Sequence, residues 1–246
     1  MGKAFMTTPQ QLSVASYNIH KGIGADRRRD LVRTASVIGE IGADILALQE
    51  ADTRFGTRTG LLDLDQIRRD LGLVAVPLTG TGPAHGWHGN LLLVRDAQIE
   101  KVRQLDLPGF EPRGALMTDL SIRGQDLRVL NVHLGLLPGS RLAQSRALLD
   151  SLSGLDNRPT LLLGDMNEWR NGSAAFETLS RYFTQSAVLR SYPARYPLLP
   201  LDRLMICAQG VLDEVAVHDS PLARRASDHL PIKAKLRLAT TAAPNA

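Results

Sequence analysis

The chain has 246 residues, of which 43% are hydrophobic and only 4% aromatic, so aliphatic side chains must fill most of a sizeable core. The net charge of +4 suits a phosphate-bearing partner, although many enzymes share so small an excess. No apolar run approaches the ~20 residues of a transmembrane helix, and residues 1–10 lack the apolar region of a signal peptide. The single cysteine, Cys207, excludes an internal disulfide, so we expect a reducing, cytoplasmic location.

Residues 12–238 contain no linker-like segment and no repeat of fixed period. We interpret them as one domain, preceded by an N-terminal extension at 1–11. The last residues, 239–246, are small and polar and are predicted to form a tail.

The chain is predicted to open with a β-α-β unit. Leu12–Ile19 is interpreted as a strand, and apolar residues spaced at i, i+4 and i+7 predict a helix over about 27–41. Ile45–Leu48 follows as a buried strand.

The middle of the chain alternates loops with short elements. A polar loop at 51–62 and a Gly-rich loop at 79–89 surround a helix near 63–71 and a strand at 73–77. Four closely spaced strands then indicate antiparallel pairing. They are 90–94, 99–105, 115–122 and 127–134.

The remaining elements are a helix at 140–152, a wholly apolar strand at 160–163, a small helix at 173–180, and strands at 203–207, 211–217 and 231–238. A wholly apolar strand is typical of one covered on both faces. Because helices interleave with two groups of strands, we predict two sheets packed face to face with helices outside.

Polar side chains stand at the ends of at least five of these strands. They are Asn18, Glu50, His133, Asp165 with Asn167, Asp202, and Asp228 with His229. A carboxylate at the end of a buried strand must be solvated, paired or metal-bound, because burying it alone is costly. Taken singly, each residue has a plain structural explanation as a turn residue, a cap or a hydrogen-bonded histidine. Taken together, they indicate a shared site for a divalent cation and a phosphate.

The ligands available at this site are mostly hard oxygen donors, which favour Mg²⁺ or Mn²⁺ over zinc. His133 and His229 could orient or activate water, since an imidazole titrates near neutral pH. Rival motifs are missing: the sequence has no Gly-x-Ser-x-Gly elbow and no Gly-x-x-x-x-Gly-Lys loop. Gly22-Ile23-Gly24 follows a strand, but Arg27 stands where a dinucleotide fingerprint needs its third Gly.

Six motifs, in this order along about 12–238, resemble the endonuclease/exonuclease/phosphatase superfamily. They are Ser16-Tyr17-Asn18, Leu48-Gln49-Glu50, Asn131-Val132-His133-Leu134, Gly164-Asp165-Met166-Asn167, Leu201-Asp202-Arg203 and Ser227-Asp228-His229-Leu230-Pro231. The Asn-Val-His motif is closer to the DNase and sphingomyelinase side than to the apurinic/apyrimidinic endonucleases. The segment 193–200 resembles small, poorly characterised bacterial members.

The resemblance implies a four-layer α/β/β/α sandwich of two mixed, mainly antiparallel sheets, with a Mg²⁺ or Mn²⁺ site at one edge. By position, Glu50 would be the principal metal ligand, helped by Asn18 and Asp228. Asp165 and Asn167 would contact the phosphate or position the attacking water, with a second metal ion as an open alternative.

The resemblance also implies roles for the remaining strand-end residues. Asp202 would orient His229, and His133 would bind or polarise a phosphoryl oxygen. Water would attack phosphorus directly, and whether Asp165 or His229 is the general base stays open.

The expected function is therefore Mg²⁺-dependent hydrolysis of a phosphoester, in a small molecule, a phospholipid headgroup or a nucleic acid. A non-specific DNA endonuclease is the alternative, although few aromatic side chains are available for base stacking. A binding module would require lost catalytic residues. Three arginines are candidate phosphate contacts: Arg54, Arg58 and Arg113. An equally good interpretation is that they are solvated surface arginines. We expect a monomer without a stable protein partner.

Overall fold

The computed structural model describes residues 11–53 and 56–239. All but one residue of the predicted extension at 1–11, and all but one of the tail at 239–246, lie outside the described residues. In the part of the chain that is described, no helix has both the length and the apolar character needed to cross a membrane.

The described residues form twelve strands. They are β1 (Leu12–Asn18), β2 (Ile45–Gln49), β3 (Val74–Ala75), β4 (Leu91–Val94), β5 (Ala97–Leu107), β6 (Arg113–Ile122), β7 (Gln125–His133), β8 (Thr160–Asp165), β9 (Phe183–Val188), β10 (Asp202–Cys207), β11 (Gly210–Val217) and β12 (Ile232–Leu238). The helices are α1 (Leu31–Ile41), α2 (Leu64–Leu71), α3 (Pro138–Leu152), α4 (Ala174–Leu179) and α5 (Ala223–Ala226), with a 3₁₀ turn at His20–Gly22.

The strands build two six-stranded sheets, ordered β11-β12-β1-β2-β4-β3 and β5-β6-β7-β8-β10-β9. Each sheet is antiparallel except for one central parallel pair, β1 with β2 and β7 with β8. In these pairs Asn18 lies beside Gln49, and His133 beside Asp165. The polar ends of both parallel pairs therefore face the same end of the sandwich, which we call the site edge.

Three apolar clusters separate four layers. The central cluster fills the space between the sheets with aliphatic side chains such as Leu92 and Leu161. A second cluster joins α1 and α2 to the outer face of the first sheet, and a third joins α3 and α4 to the second sheet. The predicted α/β/β/α sandwich is therefore confirmed.

Local chemistry sets the ends of α1. The carboxylate of Asp30 accepts a hydrogen bond from the Arg33 amide at 2.9 Å, which caps the helix at its start. The helix ends at Gly42, whose φ of 62° is the left-handed conformation common after helices. Predicting the helix from residue 27 was wrong by four residues, because 24–29 form a turn closed by Gly24 and Arg28.

Other sequence predictions differ from the structure in pairing and burial. Leu91–Val94 does not join the β5-β6-β7 meander but pairs with β2 and β3 in the first sheet. Strand β9 and helix α5 were not predicted. In α3, the sequence puts Leu142, Leu149 and Leu152 along one apolar stripe, but Leu142 and Leu149 are only half-buried, because the helix buries a polar face that includes Arg141 and Gln144.

Candidate active site

The predicted site residues meet at the site edge because four strands end there and two begin there. Asn18, Glu50, His133 and Asp165 close or follow β1, β2, β7 and β8. Asp202 begins the antiparallel strand β10 directly opposite Asp165. Residues far apart in the chain meet in this way, since sheet register fixes the strand ends.

A line of buried ionisable groups forms the floor of the site. His229 Nδ1 lies 2.8 Å from Asp202 Oδ2, and His229 Nε2 lies 3.6 Å from Asp165 Oδ2. His133 Nε2 approaches the same Asp165 oxygen at 3.5 Å. The Ser191 hydroxyl donates to Asp202 Oδ2, so this carboxylate is held from two sides. We call Asp165, Asp202, His229 and His133 the floor group.

Burial and neighbouring charges move the pKa values of Asp165, His229 and His133. Burial raises the pKa of Asp165 to about 6, and the neighbouring Asp202 charge adds to this effect. Burial alone would lower the pKa of His229, but the Asp202 and Asp165 carboxylates raise it to about 10. Burial and the nearby Arg113 charge lower the pKa of His133 well below its usual value. At neutral pH the floor group thus combines a cationic His229 with a neutral His133.

Glu50 stands beside the floor group and is linked to it through Asn18. The Asn18 amide donates to Asp165 Oδ2 at 3.0 Å and to Glu50 Oε1 at 3.4 Å. The Lys21 ammonium forms an ion pair with Glu50 Oε2. Burial alone would raise the pKa of Glu50, but its electrostatic interactions with His133 and Lys21 and the Lys21 hydrogen bond lower it to about 2. Glu50 is therefore ionised at any pH near neutrality.

Asp228 borders the same space from the other side. Its Oδ1 lies 3.6 Å from His20 Nδ1 and accepts a hydrogen bond from the Ser227 hydroxyl at 3.3 Å. The same hydroxyl donates to the Asn18 backbone carbonyl at 2.7 Å, which ties the loop before β12 to the end of β1. Asp228 is half-buried and accessible from the cleft.

A cleft of about 350 Å³ opens above these residues. The predicted residues Glu50, His133, Asp228, Arg58 and Arg113 all line it. Further lining residues are His20, Lys21, Asp52, Thr53, His88, Gly89, Glu111 and Pro112. Arg54, the remaining predicted phosphate contact, lies outside the described residues.

Asn167 is held near Asp165 by its backbone. Its amide N–H donates to Asp165 Oδ1 at 2.9 Å, while its side chain donates to the Leu134 carbonyl at 2.9 Å. Asn167 and Glu50 have φ angles of 50° and 56°, the left-handed conformation that non-glycine residues rarely adopt. Such backbone strain clusters at functional sites.

Gly164 explains how β8 approaches β7 so closely before Asp165. Its φ is 146°, and an added Cβ would lie 1.9 Å from the Val132 carbonyl oxygen. A side chain at this position would push β8 away and separate His133 from Asp165.

Two sets of residues could hold a divalent cation. The first is Glu50 with Asn18 and Asp228, where the Lys21 ammonium already occupies a cation position against Glu50. The second is Asp165, Asp202 and His229, whose ligand atoms lie within 4.8 Å of one another. The carboxylate and amide oxygens of the first set suit a hard cation such as Mg²⁺. In the second set, the short contact between His229 and Asp202 already uses one ligand atom of each residue.

Several residues of the site were missed in the sequence. Lys21 lies three residues after Asn18 in the chain, so a search for a basic partner of Glu50 could have found it. Tyr192, whose ring centroid lies 4.9 Å from that of His229, gave no such signal because its loop has no recognisable pattern. Gln49 donates to Asn131 Oδ1 at 2.8 Å and joins the two sheets below the site.

Comparison with known proteins agrees with this geometry. The family model described as the endonuclease/exonuclease/phosphatase family matches residues 15–229. The chain belongs to that family. Its members are generally hydrolases that act on phosphoesters, and they generally depend on a divalent metal ion.

Individual relatives show how far the similarity extends. YbhP, an uncharacterized protein of Escherichia coli K12, is 29% identical, over 93% of this chain and 98% of its own length. A mannosyl-6-phosphatase of Bacteroides thetaiotaomicron has a TM-score of 0.70 at 16% identity, covering 92% of this chain and 99% of its own. D. rerio TDP2, complexed with single strand DNA product, has a TM-score of 0.69 at 16% identity, with 92% and 99% covered. At these identities the two structures establish the shared fold only.

Proposed function

We propose that this chain is a Mg²⁺-dependent hydrolase of phosphoester bonds, with Mn²⁺ as an alternative ion, in which water attacks phosphorus directly. The observation that carries the proposal is the floor group, where the buried Asp165 carboxylate and the His229 and His133 imidazoles, all with shifted pKa values, meet below an open cleft. Groups with shifted pKa values in a cleft are typical of catalytic sites. The family match supports the same class of reaction.

In this proposal Glu50 is the principal ligand of the cation, assisted by Asn18 and Asp228. The low pKa of Glu50 supports this role, because a carboxylate must be ionised to bind metal. A divalent cation here would neutralise charge that develops on the phosphoryl oxygens. Lys21 would exchange its contact with Glu50 for one with the substrate phosphate.

The floor group would handle the water and the phosphoryl oxygens. Asp202 holds the His229 ring through Nδ1, which leaves Nε2 directed toward Asp165. Asp165, with the Asn167 amide on its other oxygen, would position the attacking water. His229 Nε2–H and His133 would donate hydrogen bonds to phosphoryl oxygens. Of the two alternative general bases, this arrangement favours Asp165, because a cationic His229 has no free lone pair and would have to lose its Nε2 proton before it could act as a base.

The candidate substrate is a small phosphoester or a phospholipid headgroup. A cleft of about 350 Å³ suits a compact group, and its arginines Arg58 and Arg113 could bind a second part of a phosphorylated substrate. The phosphatase among the structural neighbours supports a small substrate, whereas the TDP2 complex supports the alternative, a DNA endonuclease.

A phosphoester panel tests the proposal. Bis(p-nitrophenyl) phosphate, p-nitrophenyl phosphate, glycerophosphodiesters and plasmid DNA would each be incubated with Mg²⁺, with Mn²⁺ and with EDTA. We expect metal-dependent turnover of at least one small phosphoester and little plasmid nicking. Mg²⁺ should also raise the melting temperature modestly, because it would bind only the native state.

The Glu50→Gln variant separates the proposed metal role from a structural one. It should lose most activity and the Mg²⁺-dependent rise in melting temperature, while keeping its fold. Glu40→Gln is the matched control, since Glu40 also has a lowered pKa but lies outside the site, bonded to Ser220 and His218. Full Mg²⁺-dependent activity in Glu50→Gln would refute this ligand assignment. Robust nicking that is lost in His229→Ala would favour the endonuclease.

A further inference from the structure

Large apolar side chains are exposed around the active site. Ten such side chains are exposed among the described residues, and six of them lie on loops at the site edge. These six form what we call the apolar rim: Phe110, Leu136, Leu137, Trp169, Tyr196 and Leu198. Each of the four loops that the second sheet sends to the site edge contributes at least one. Exposed apolar side chains gathered in this way mark an interaction surface.

Hydrogen bonds fix the rim loops to one another. The Leu136 amide donates to Glu111 Oε1 at 2.8 Å, which joins the loop after β7 to the β5-β6 turn. The buried Arg141 guanidinium donates to Glu168 Oε2 at 2.9 Å and also to the Leu136 carbonyl. These bonds link the Phe110, Leu136 and Trp169 loops. These hydrogen bonds therefore hold the rim loops in a fixed arrangement.

Arg203 joins the Trp169 loop to the fourth rim loop, which carries Tyr196 and Leu198. Its guanidinium donates to Asn171 Oδ1 at 3.2 Å and to the Pro200 carbonyl. Asn171 belongs to the Trp169 loop, and Pro200 follows Leu198. The rim thus runs along the whole site edge of the second sheet.

The exposed charged side chains of the rim loops are all positive. Arg170, Arg190 and Arg195 are exposed, whereas residues 108–112, 134–139, 166–173 and 189–201, all described, contain no exposed carboxylate. The Arg170 guanidinium carbon lies 5.6 Å from the Trp169 ring centroid, and Arg195 directly precedes Tyr196. Trp and Tyr beside cationic residues are typical of surfaces at the membrane–water interface.

The rim also borders the cleft. Glu111 and Pro112, next to Phe110, line the cleft, and the loop that carries Tyr196 and Leu198 places Tyr192 against His229. A surface docked on the rim would therefore meet the open side of the active site.

We propose that the apolar rim docks this protein on an anionic phospholipid bilayer and presents the cleft to a lipid headgroup phosphate. The headgroup part rests on the proposed function; the docking does not. Three of the six rim residues are leucines, which can enter the acyl boundary but cannot stack on bases as aromatic rings do. Exposed arginines complement anionic headgroups. These features favour a bilayer over single-stranded DNA.

Co-sedimentation with vesicles tests the docking. Phosphatidylcholine vesicles, with or without 30% phosphatidylglycerol, would be mixed with the wild-type chain at low and high salt. We expect binding that requires phosphatidylglycerol and weakens with salt. Phe110→Ser/Leu137→Ser should lower the partition coefficient at least tenfold. Arg170→Gln/Arg195→Gln should lower it about twenty-fivefold at low salt, or about fivefold for each arginine.

The control is Val74→Ser/Val211→Ser, which removes exposed apolar side chains at the end of the first sheet opposite the site edge. Val74 and Val211 are 48% and 44% exposed, comparable with 48% for Leu137. This variant should bind vesicles like the wild type. Trp169 emission should shift to the blue on anionic vesicles, with Trp169→Phe identifying the signal.

The test also separates docking from catalysis. His229→Ala should bind vesicles normally, so loss of all phosphoesterase activity with intact binding would leave the docking proposal standing. The rim variant should keep its turnover of bis(p-nitrophenyl) phosphate. The proposal is overturned if the wild type does not bind anionic vesicles, if control and rim variants bind equally, if the rim instead binds a labelled single-stranded oligonucleotide, or if light scattering shows that it is covered in a dimer.

Discussion

Strand β7 carries a buried group of charges at each end, and the two groups differ in how completely they are paired. Near its start, Arg128 Nε donates to Asp119 Oδ1 at 2.6 Å, and Arg103 donates to Asp119 Oδ2 at 3.0 Å. Arg128 also reaches Asp156 Oδ1 at 2.5 Å. Both oxygens of the buried Asp119 therefore have cationic partners.

The floor group at the other end of β7 is packed as tightly but is not fully paired. The buried atoms His133 Nδ1 and Asp202 Oδ1 have no hydrogen-bond partner in the described structure. Burial raises the pKa of Asp165 to about 6, whereas at Asp119 the burial effect is overcome by Arg128 and Arg103, which lower its pKa. Buried charge alone thus does not identify an active site; at the floor group it is accompanied by unused hydrogen-bonding capacity and by an Asp165 pKa moved toward neutrality.

The largest effect is expected when the floor group is disrupted. His229→Ala and Asp202→Asn should each lower turnover by ~10²–10⁴-fold, the usual loss for a positioned acid, base or orienting group. Both variants should also lose some stability, because each leaves a buried charge without its partner, so turnover is compared per folded molecule. The measurement is kcat/KM on the best substrate of the panel, with urea unfolding of the same preparations.

A double variant sharpens this prediction. Because Asp202 acts through His229, the double variant should lose little more activity than the worse single variant. Strictly additive losses would show that the two residues do not work as a unit.

The next largest effect is expected when the charge group at the start of β7 is disrupted. Arg128→Met removes a nearly inaccessible cation from Asp119 and Asp156, and should cost about 3 kcal/mol of stability. Turnover per folded molecule should stay at the wild-type level. Urea unfolding and activity at a temperature where the variant is folded check both parts. A hundredfold loss of turnover without loss of stability would show that Arg128 serves catalysis rather than stability. That result would contradict the difference drawn between the two ends of β7.

The smallest effect is a pH dependence at Asp119. Its folded-state pKa is lowered, so its contribution to stability is present above its unfolded pKa of about 4 and is lost as pH falls through the folded value. The difference in unfolding free energy between wild type and Asp119→Asn should be constant from pH 5 to 8 and shrink below pH 4. A difference that grows on acidification would contradict the ion pairing.

The sequence was sufficient to predict the fold and the strand-end residues, for a physical reason. Polar residues stand where the apolar runs of the strands begin or end. Sheet register then brings these polar residues together, as it does Asp165 and Asp202. The prediction of antiparallel pairing for Leu91–Val94 with β5 failed because crossing between sheets depends on tertiary packing rather than on turn residues.

Other parts of the site depend on contacts that no local pattern records. The ion pair of Lys21 with Glu50 and the bond of Ser191 to Asp202 join side chains from separate loops. The pKa values are likewise set by burial and by neighbours distant in sequence. The apolar rim is visible only when exposure is known, since a leucine such as Leu136 normally predicts core.

The central claim is that Asp165 serves chemistry at some cost in stability, and Asp165→Asn tests it most directly when turnover and unfolding are measured on one preparation at pH 7.5. A folded-state pKa of about 6, above the unfolded value near 4, means that stability falls as pH rises between the two, so ionised Asp165 disfavours the folded state at pH 7.5. We predict at least a hundredfold loss of turnover with equal or greater stability. Near-normal turnover together with a clear loss of stability would contradict the account.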